Sequence, residues 1–269
     1  MIAYPFDVGG VATRVIEAGA GHRAIVFIHG LSTRADRWQA NLGPVAASGR
    51  RAIAIDLPGH GFAARPADYP YGVPAYADFV LGLLDGLGIE RADLVGTSLG
   101  GHVAAMAACR APERIGRAVL VGAVGVTPIA PDTAAAVRKA VTRTDRDGIA
   151  AKLDTAFVVK SLITEALIEE DWRVNTMAGS EAAFAALGDY FVERLNDDVV
   201  GDRLRAYAAA HPVMLVWGAG DRIVPPAMGE AAATAVPEAR YEVLAGTGHA
   251  PYLEAPGRFN PLLIDFLES

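Results

Sequence analysis

Along the chain, short and almost continuously apolar runs alternate with longer segments whose apolar residues recur every three or four positions. The runs at 24–29, 52–56, 93–97, 118–121 and 213–217 each lead into a turn containing Gly or Pro. Such runs predict strands buried on both faces of a parallel sheet. Between them, 37–47, 74–87 and 99–110 read as helices; apolar residues at 76, 79, 80, 83, 84 and 87 share one helical face. Residues 11–17 alternate more strictly and predict an antiparallel edge strand. A further strand at 240–244 and a last helix near 257–267 complete the β–α alternation, which predicts an α/β sheet with helices on both sides.

The alternation breaks after Gly122. From about 126 to 207 only helical pattern remains, at 133–142, 148–159, 164–177 and 181–195, and strand–helix order resumes at His211. This predicts a core domain made of 1–125 and 208–269, with a helical cap of 126–207 inserted over one end of the sheet.

Composition narrows the function classes. The chain has 269 residues, 52% of them hydrophobic, enough for one large core. A net charge of −7 argues against nucleic acid as a partner, since nucleic-acid binding needs a basic footprint. Cys109 is the only cysteine, so neither an intrachain disulfide nor a cysteine zinc cluster can form. The segment MIAYPFDVGG lacks a basic stretch followed by an apolar one, and no run approaches the roughly 18 apolar residues of a membrane span. A cytoplasmic protein with no membrane partner is expected; oligomeric state is unreadable.

Chemistry enters at LVGTSLGGHVAAM, residues 94–106. Ser98 follows a buried strand, precedes a helix and has Gly96 and Gly100 two residues to either side. A strand-to-helix turn that tight brings backbone so close that its flanks must lack side chains, and the serine then projects at the carboxyl end of the sheet. The competing reading makes Ser98 only the N-cap of the helix.

A serine hydroxyl needs a base. Among six histidines, His249 stands in the Gly-rich loop LAGTGHAPYLEAP after a strand, where it can reach Ser98; His102 points elsewhere. A carboxylate must orient the imidazole. Asp221 in LVWGAGDRIVPP lies just beyond a buried strand, whereas GAVGV after the 118–121 strand offers no acid. Asp56, in AIDLPGHG, reads as part of a rigid turn. The backbone N–H groups of Leu31 and Leu99 are the expected oxyanion donors. His29 is expected to buttress the loop HGLSTRADRW, and Ser32 either donates as well or caps the next helix. WGAGDRI fails as a dinucleotide fingerprint because Ile223 replaces the third glycine. No phosphate loop and no zinc motif occurs, so neither cofactor nor metal is expected.

The ordered set FIHGLS, AIDLPGHG, LVGTSLGG, VWGAGDRIVP and GTGHAPYLEAP resembles the α/β-hydrolase superfamily along nearly the whole chain. The resemblance implies a mostly parallel eight-stranded sheet, a helical cap, and Ser98, Asp221 and His249 as a catalytic triad. The segment SLITEALIEEDW also resembles the meta-cleavage product hydrolases, which cut a carbon–carbon bond in ring-fission dienones. Those enzymes carry an arginine before the tryptophan, where this chain has Asp171 before Trp172. They carry an H-G-[SA]-G loop, here HGLS, and a tryptophan after the histidine, here Ala250. The sequence therefore puts first a serine hydrolase of small to medium, mainly apolar carboxylic esters or lactones. Carbon–carbon hydrolysis stands second, and a ligand receptor on the same fold is the alternative of another class.

Overall fold

The computed structural model describes residues 1–269. The chain runs through β1 (Ile2–Val8), β2 (Val11–Ala18), β3 (Arg23–Ile28), a 3-10 turn (Ala35–Trp38), α1 (Gln39–Ala47) and β4 (Arg50–Ile55). It continues with α2 (Val73–Gly86), β5 (Ala92–Thr97), α3 (Leu99–Arg110) and β6 (Ile115–Val121). The cap helices follow: α4 (Pro131–Thr142), α5 (Arg146–Ala156), α6 (Glu165–Asn175) and α7 (Ser180–Glu193). Then come α8 (Gly201–Ala208), β7 (Val213–Gly218), α9 (Pro226–Ala235), β8 (Arg240–Leu244), α10 (Pro251–Glu254) and α11 (Pro256–Glu268).

One eight-stranded sheet has the order β1-β2-β4-β3-β5-β6-β7-β8. β1–β2 and β2–β4 pair antiparallel and every other pair is parallel. The interior strands β5 and β7 are buried at every position, as their continuous apolar runs require. One apolar core lies between the sheet and α2, α3 and α8; a second lies between the other face and α1 and α11.

Two expectations change. Residues 11–17 do pair antiparallel, but they are not the edge. β1 lies outside them in register from Ile2 against Glu17 to Val8 against Val11. The hairpin closes through Gly9 and Gly10, both at positive φ, a two-residue turn whose twist suits the strands. β1 escaped notice because its side chains are mostly exposed and Pro5 interrupts it, which only an edge strand tolerates. The helix α8, inside the range expected for the cap, packs against α3 and α9 alongside the sheet. Within the cap, α4 lies against α7 and α5 against α6. No helix is long and apolar enough to cross a membrane.

Candidate active site

Ser98 sits between the last residue of β5 and the first of α3 with φ +54° and ψ −119°, a conformation costly for a residue with a side chain. The two glycines explain why the corner can form. A Cβ on Gly96 would stand 2.0 Å from the Gly100 carbonyl oxygen, and one on Gly100 would stand 2.4 Å from the His29 oxygen. Ser98 makes no side-chain cap bond to α3, which disposes of the capping reading. The residue lines a cavity of about 730 Å³ roofed by the cap helices.

His249 and Asp221 line up beside it. His249 Nδ1 lies 2.8 Å from Asp221 Oδ2, across 28 residues of sequence. The other carboxylate oxygen accepts the N–H groups of Ile223 at 2.8 Å and Val224 at 2.9 Å. The Asp221 side chain is fully buried. Held so, it accepts a hydrogen bond from Nδ1–H and leaves Nε2 unprotonated and facing away from it. His249 lines the same cavity as Ser98. No hydrogen bond joins the two, a looseness common before substrate arrives.

The main chain of His249 is fixed as well: its N–H donates to the Ala156 carbonyl, at the end of α5, at 2.7 Å. Glu254 reinforces this junction. One of its oxygens accepts Gly248 N–H at 2.7 Å, and the other accepts Val158 and Val159 N–H at 2.7 and 3.0 Å. The sequence reading missed Glu254; its place one turn after the histidine loop was the only signal.

Leu31 lines the cavity and its N–H has no acceptor in the protein. Leu99 opens α3, where the first N–H groups have no intrahelical partner. Ser32, also at positive φ (+54°), does not cap a helix, since the 3-10 turn starts after Arg34. Its carbonyl instead accepts Asn175 Nδ2 from α6 at 3.1 Å.

His29 is the buttress expected of it. Its Nδ1 bonds the Gly30 carbonyl at 2.8 Å and Nε2 accepts Leu57 N–H at 2.9 Å, which fixes a neutral ring. Burial pushes it down to about 4. Asp56 is structural too: its carboxylate accepts Ala35 and Phe62 N–H and pairs with Arg14. His102 points away from the cavity and bonds the Asp198 carbonyl at 2.9 Å.

Asp171 is the unexpected member. It is buried, lines the cavity, and binds Arg34 Nη1 at 2.6 Å and Arg37 Nη2. Both arginines are buried; Arg34 precedes the 3-10 turn that follows the Leu31 loop, and Arg37 lies in it. Helix α6 thus grips that loop by an ion pair and by Asn175.

The family model described as the alpha/beta hydrolase fold matches residues 23–256. The chain belongs to the α/β-hydrolase family. It is 32% identical over 262 residues, 96% of this chain and 91% of the relative, to a 2-hydroxymuconate semialdehyde hydrolase of Pseudomonas sp. strain CF600. It is 33% identical to the dihydrolipoyllysine-residue acetyltransferase component of an acetoin cleaving system of Cupriavidus necator, over 97% of this chain and 68% of that one. Among solved structures, a meta-cleavage product hydrolase from Pseudomonas fluorescens IP01 superimposes with a TM-score of 0.85 at 26% identity, covering 98% of this chain and 97% of that one.

Proposed function

We propose that the protein is a serine-type hydrolase of small, mainly apolar substrates, cutting the bond beside a carbonyl carbon. The observation that carries this reading is the 2.8 Å Asp221–His249 contact in the cavity that Ser98 lines from its strained corner. In this mechanism Ser98 Oγ attacks the carbonyl carbon while His249 Nε2 takes the hydroxyl proton. The oxygen of the tetrahedral intermediate, now negative, accepts the N–H groups of Leu31 and Leu99. Collapse breaks the scissile bond, and the leaving fragment takes its electron pair together with the proton held by His249. Water, deprotonated by the same ring, then releases the acyl group from Ser98.

The names of the relatives support a carbon–carbon bond in a ring-fission dienone over the ester that the sequence put first. There the electron pair of the broken bond passes into a conjugated carbonyl of the leaving fragment. The ester or lactone remains a second reading because of one observation: Asp171, with its two arginines, occupies the place where the carbon–carbon hydrolases carry an arginine.

A panel separates these readings. A ring-fission dienone, a set of acyl esters and a set of lactones are offered to one preparation, with loss of the dienone absorbance and acid release as readouts. Many turnovers on the dienone support carbon–carbon hydrolysis, and turnover confined to esters or lactones supports the second reading. A stall near one equivalent on every compound overturns both in favour of a receptor.

A further inference from the structure

Ser98 and Ser32 are the only residues other than glycine that the fold holds at positive φ, and both line the cavity. The corner between β5 and α3 accounts for Ser98; Ser32 belongs to a different turn. Residues 30–33 close on themselves through Thr33 N–H, which donates to the Gly30 carbonyl at 3.3 Å. A positive φ at the third position of such a turn suits glycine or asparagine. A serine persists there only where its surroundings hold it. The turn lies against the nucleophile, since a Cβ on Gly30 would stand 3.2 Å from Ser98 Cβ.

The hold comes from the cap. Asn175, the last residue of α6, is buried, lines the cavity, and donates from Nδ2 to the Ser32 carbonyl at 3.1 Å. No other group of the protein donates to that oxygen. The Ser32 carbonyl and the Thr33 N–H belong to one trans peptide and point in opposite directions. The Gly30 carbonyl and the Leu31 N–H form a second such unit. One line of hydrogen bonds therefore runs from Asn175 through the Ser32–Thr33 peptide to the Gly30–Leu31 peptide. It ends at Leu31 N–H, which finds no acceptor in the protein. Thr33 Oγ1 and His29 Nδ1 also bond the Gly30 oxygen, each at 2.8 Å, which fixes the plane of that last peptide. Peptides bonded in series polarise one another, so a donor at the head strengthens the donor at the tail.

We propose that Asn175 is a positioning residue: it holds Ser32 at positive φ and, through two peptides, aims and polarises Leu31 N–H toward the oxyanion. The proposal rests on the hydrolase reading of this cavity and gives the cap a part in the reaction besides roofing it. Leu31 N–H gains most when negative charge develops on the substrate oxygen. The influence of Asn175 thus falls on the tetrahedral intermediate and hardly on the bound substrate.

Two ligands with the same apolar body separate this role from a structural one. Ser98 Oγ adds to the carbonyl carbon of 1,1,1-trifluoro-4-phenylbutan-2-one, its proton passes to His249 Nε2, and the carbonyl oxygen becomes the anion. 4-Phenylbutan-2-one fills the same space without a stable adduct. Calorimetry compares both in the parent, in Asn175→Leu and in Asn175→Asp, which keep the shape of the side chain and lose its donor. The trifluoroketone should bind about 10–100-fold more weakly to both variants, less than the loss of an oxyanion donor itself costs. The plain ketone should change by no more than about twofold, because it develops no charge. Equal losses for the two ketones, an unchanged trifluoroketone affinity, or failure of both variants to fold overturns the proposal. If Ser98→Ala binds the trifluoroketone as tightly as the parent, no adduct forms, and the hydrolase reading falls together with this inference. An adduct that needs Ser98 and ignores Asn175 leaves that reading standing and refutes only the role of Asn175.

Discussion

Arg37 and Asp171 meet in the protein interior although 134 residues separate them, one on the 3-10 turn behind the Leu31 loop and the other on cap helix α6. With Arg34 they form a buried cluster in which one carboxylate serves two guanidinium groups. Removing the acid leaves Arg37 buried without a carboxylate, while Arg34 keeps Asp36 and Glu170. Asp171→Ala should therefore lower stability by about 3–5 kcal/mol, read from urea denaturation. Adding Arg37→Met should recover part of that loss. An unchanged midpoint in the single variant would show that the cluster holds nothing together.

Ser98 offers a separation of chemistry from fold. Ser98→Ala should cut turnover by about 10⁴-fold or more, as loss of a nucleophile does. Ser98→Gly should be equally inactive, yet more stable by about 1 kcal/mol, because glycine adopts the backbone angles of the corner without strain. Thermal denaturation of the two variants side by side reads the difference. Near-normal turnover in a folded Ser98→Ala would remove Ser98 from the mechanism.

Three buried histidines make the fold acid-sensitive. Desolvation pushes His29 and His102 down to about 4 and His60 down to about 3. In the unfolded chain each titrates near 6.5. Between that value and the folded ones, the unfolded state binds protons that the folded state refuses, so stability falls as pH drops. Each ring contributes a slope of up to about 1.4 kcal/mol per pH unit over this window. Denaturation midpoints at pH 7, 6 and 5 should decline accordingly, and His60→Gln should flatten the decline. A flat profile would contradict the neutral state assigned to these rings.

Gly122, at the end of β6, has φ +52°, and a Cβ there would stand 3.1 Å from Asp221 Oδ2 and 3.2 Å from His249 Nδ1. Gly122→Ala should cost about 1–3 kcal/mol of backbone strain. It should also displace the imidazole and lower kcat by up to about 100-fold, since small misplacements of a reacting group are that expensive. Equal kcat in both proteins would mean that the ring position is not critical.

What the sequence made legible follows a physical division. Strands such as β5 and β7 are buried on both faces and announce themselves as apolar runs; β1, half in water, does not. Ser98, Asp221 and His249 could be picked out because each follows a strand, and strand ends in a parallel sheet converge on one edge. The Arg37–Asp171 pair and the Asn175–Ser32 hydrogen bond depend on which way cap side chains turn. Helical periodicity gives the face of a helix but not its neighbour, so neither could be read.

The contact that holds His249 against the cap runs from its own N–H to the Ala156 carbonyl, main chain to main chain. It survives any side chain at position 156 short of one that distorts the backbone. Mutational drift in the roof of the cavity can thus alter what enters without loosening His249. A one-residue deletion within α5 would instead shift the Ala156 carbonyl by about 1.5 Å along the helix axis and swing it about the axis. Substitution at 156 should thus be tolerated where a deletion within α5 is not.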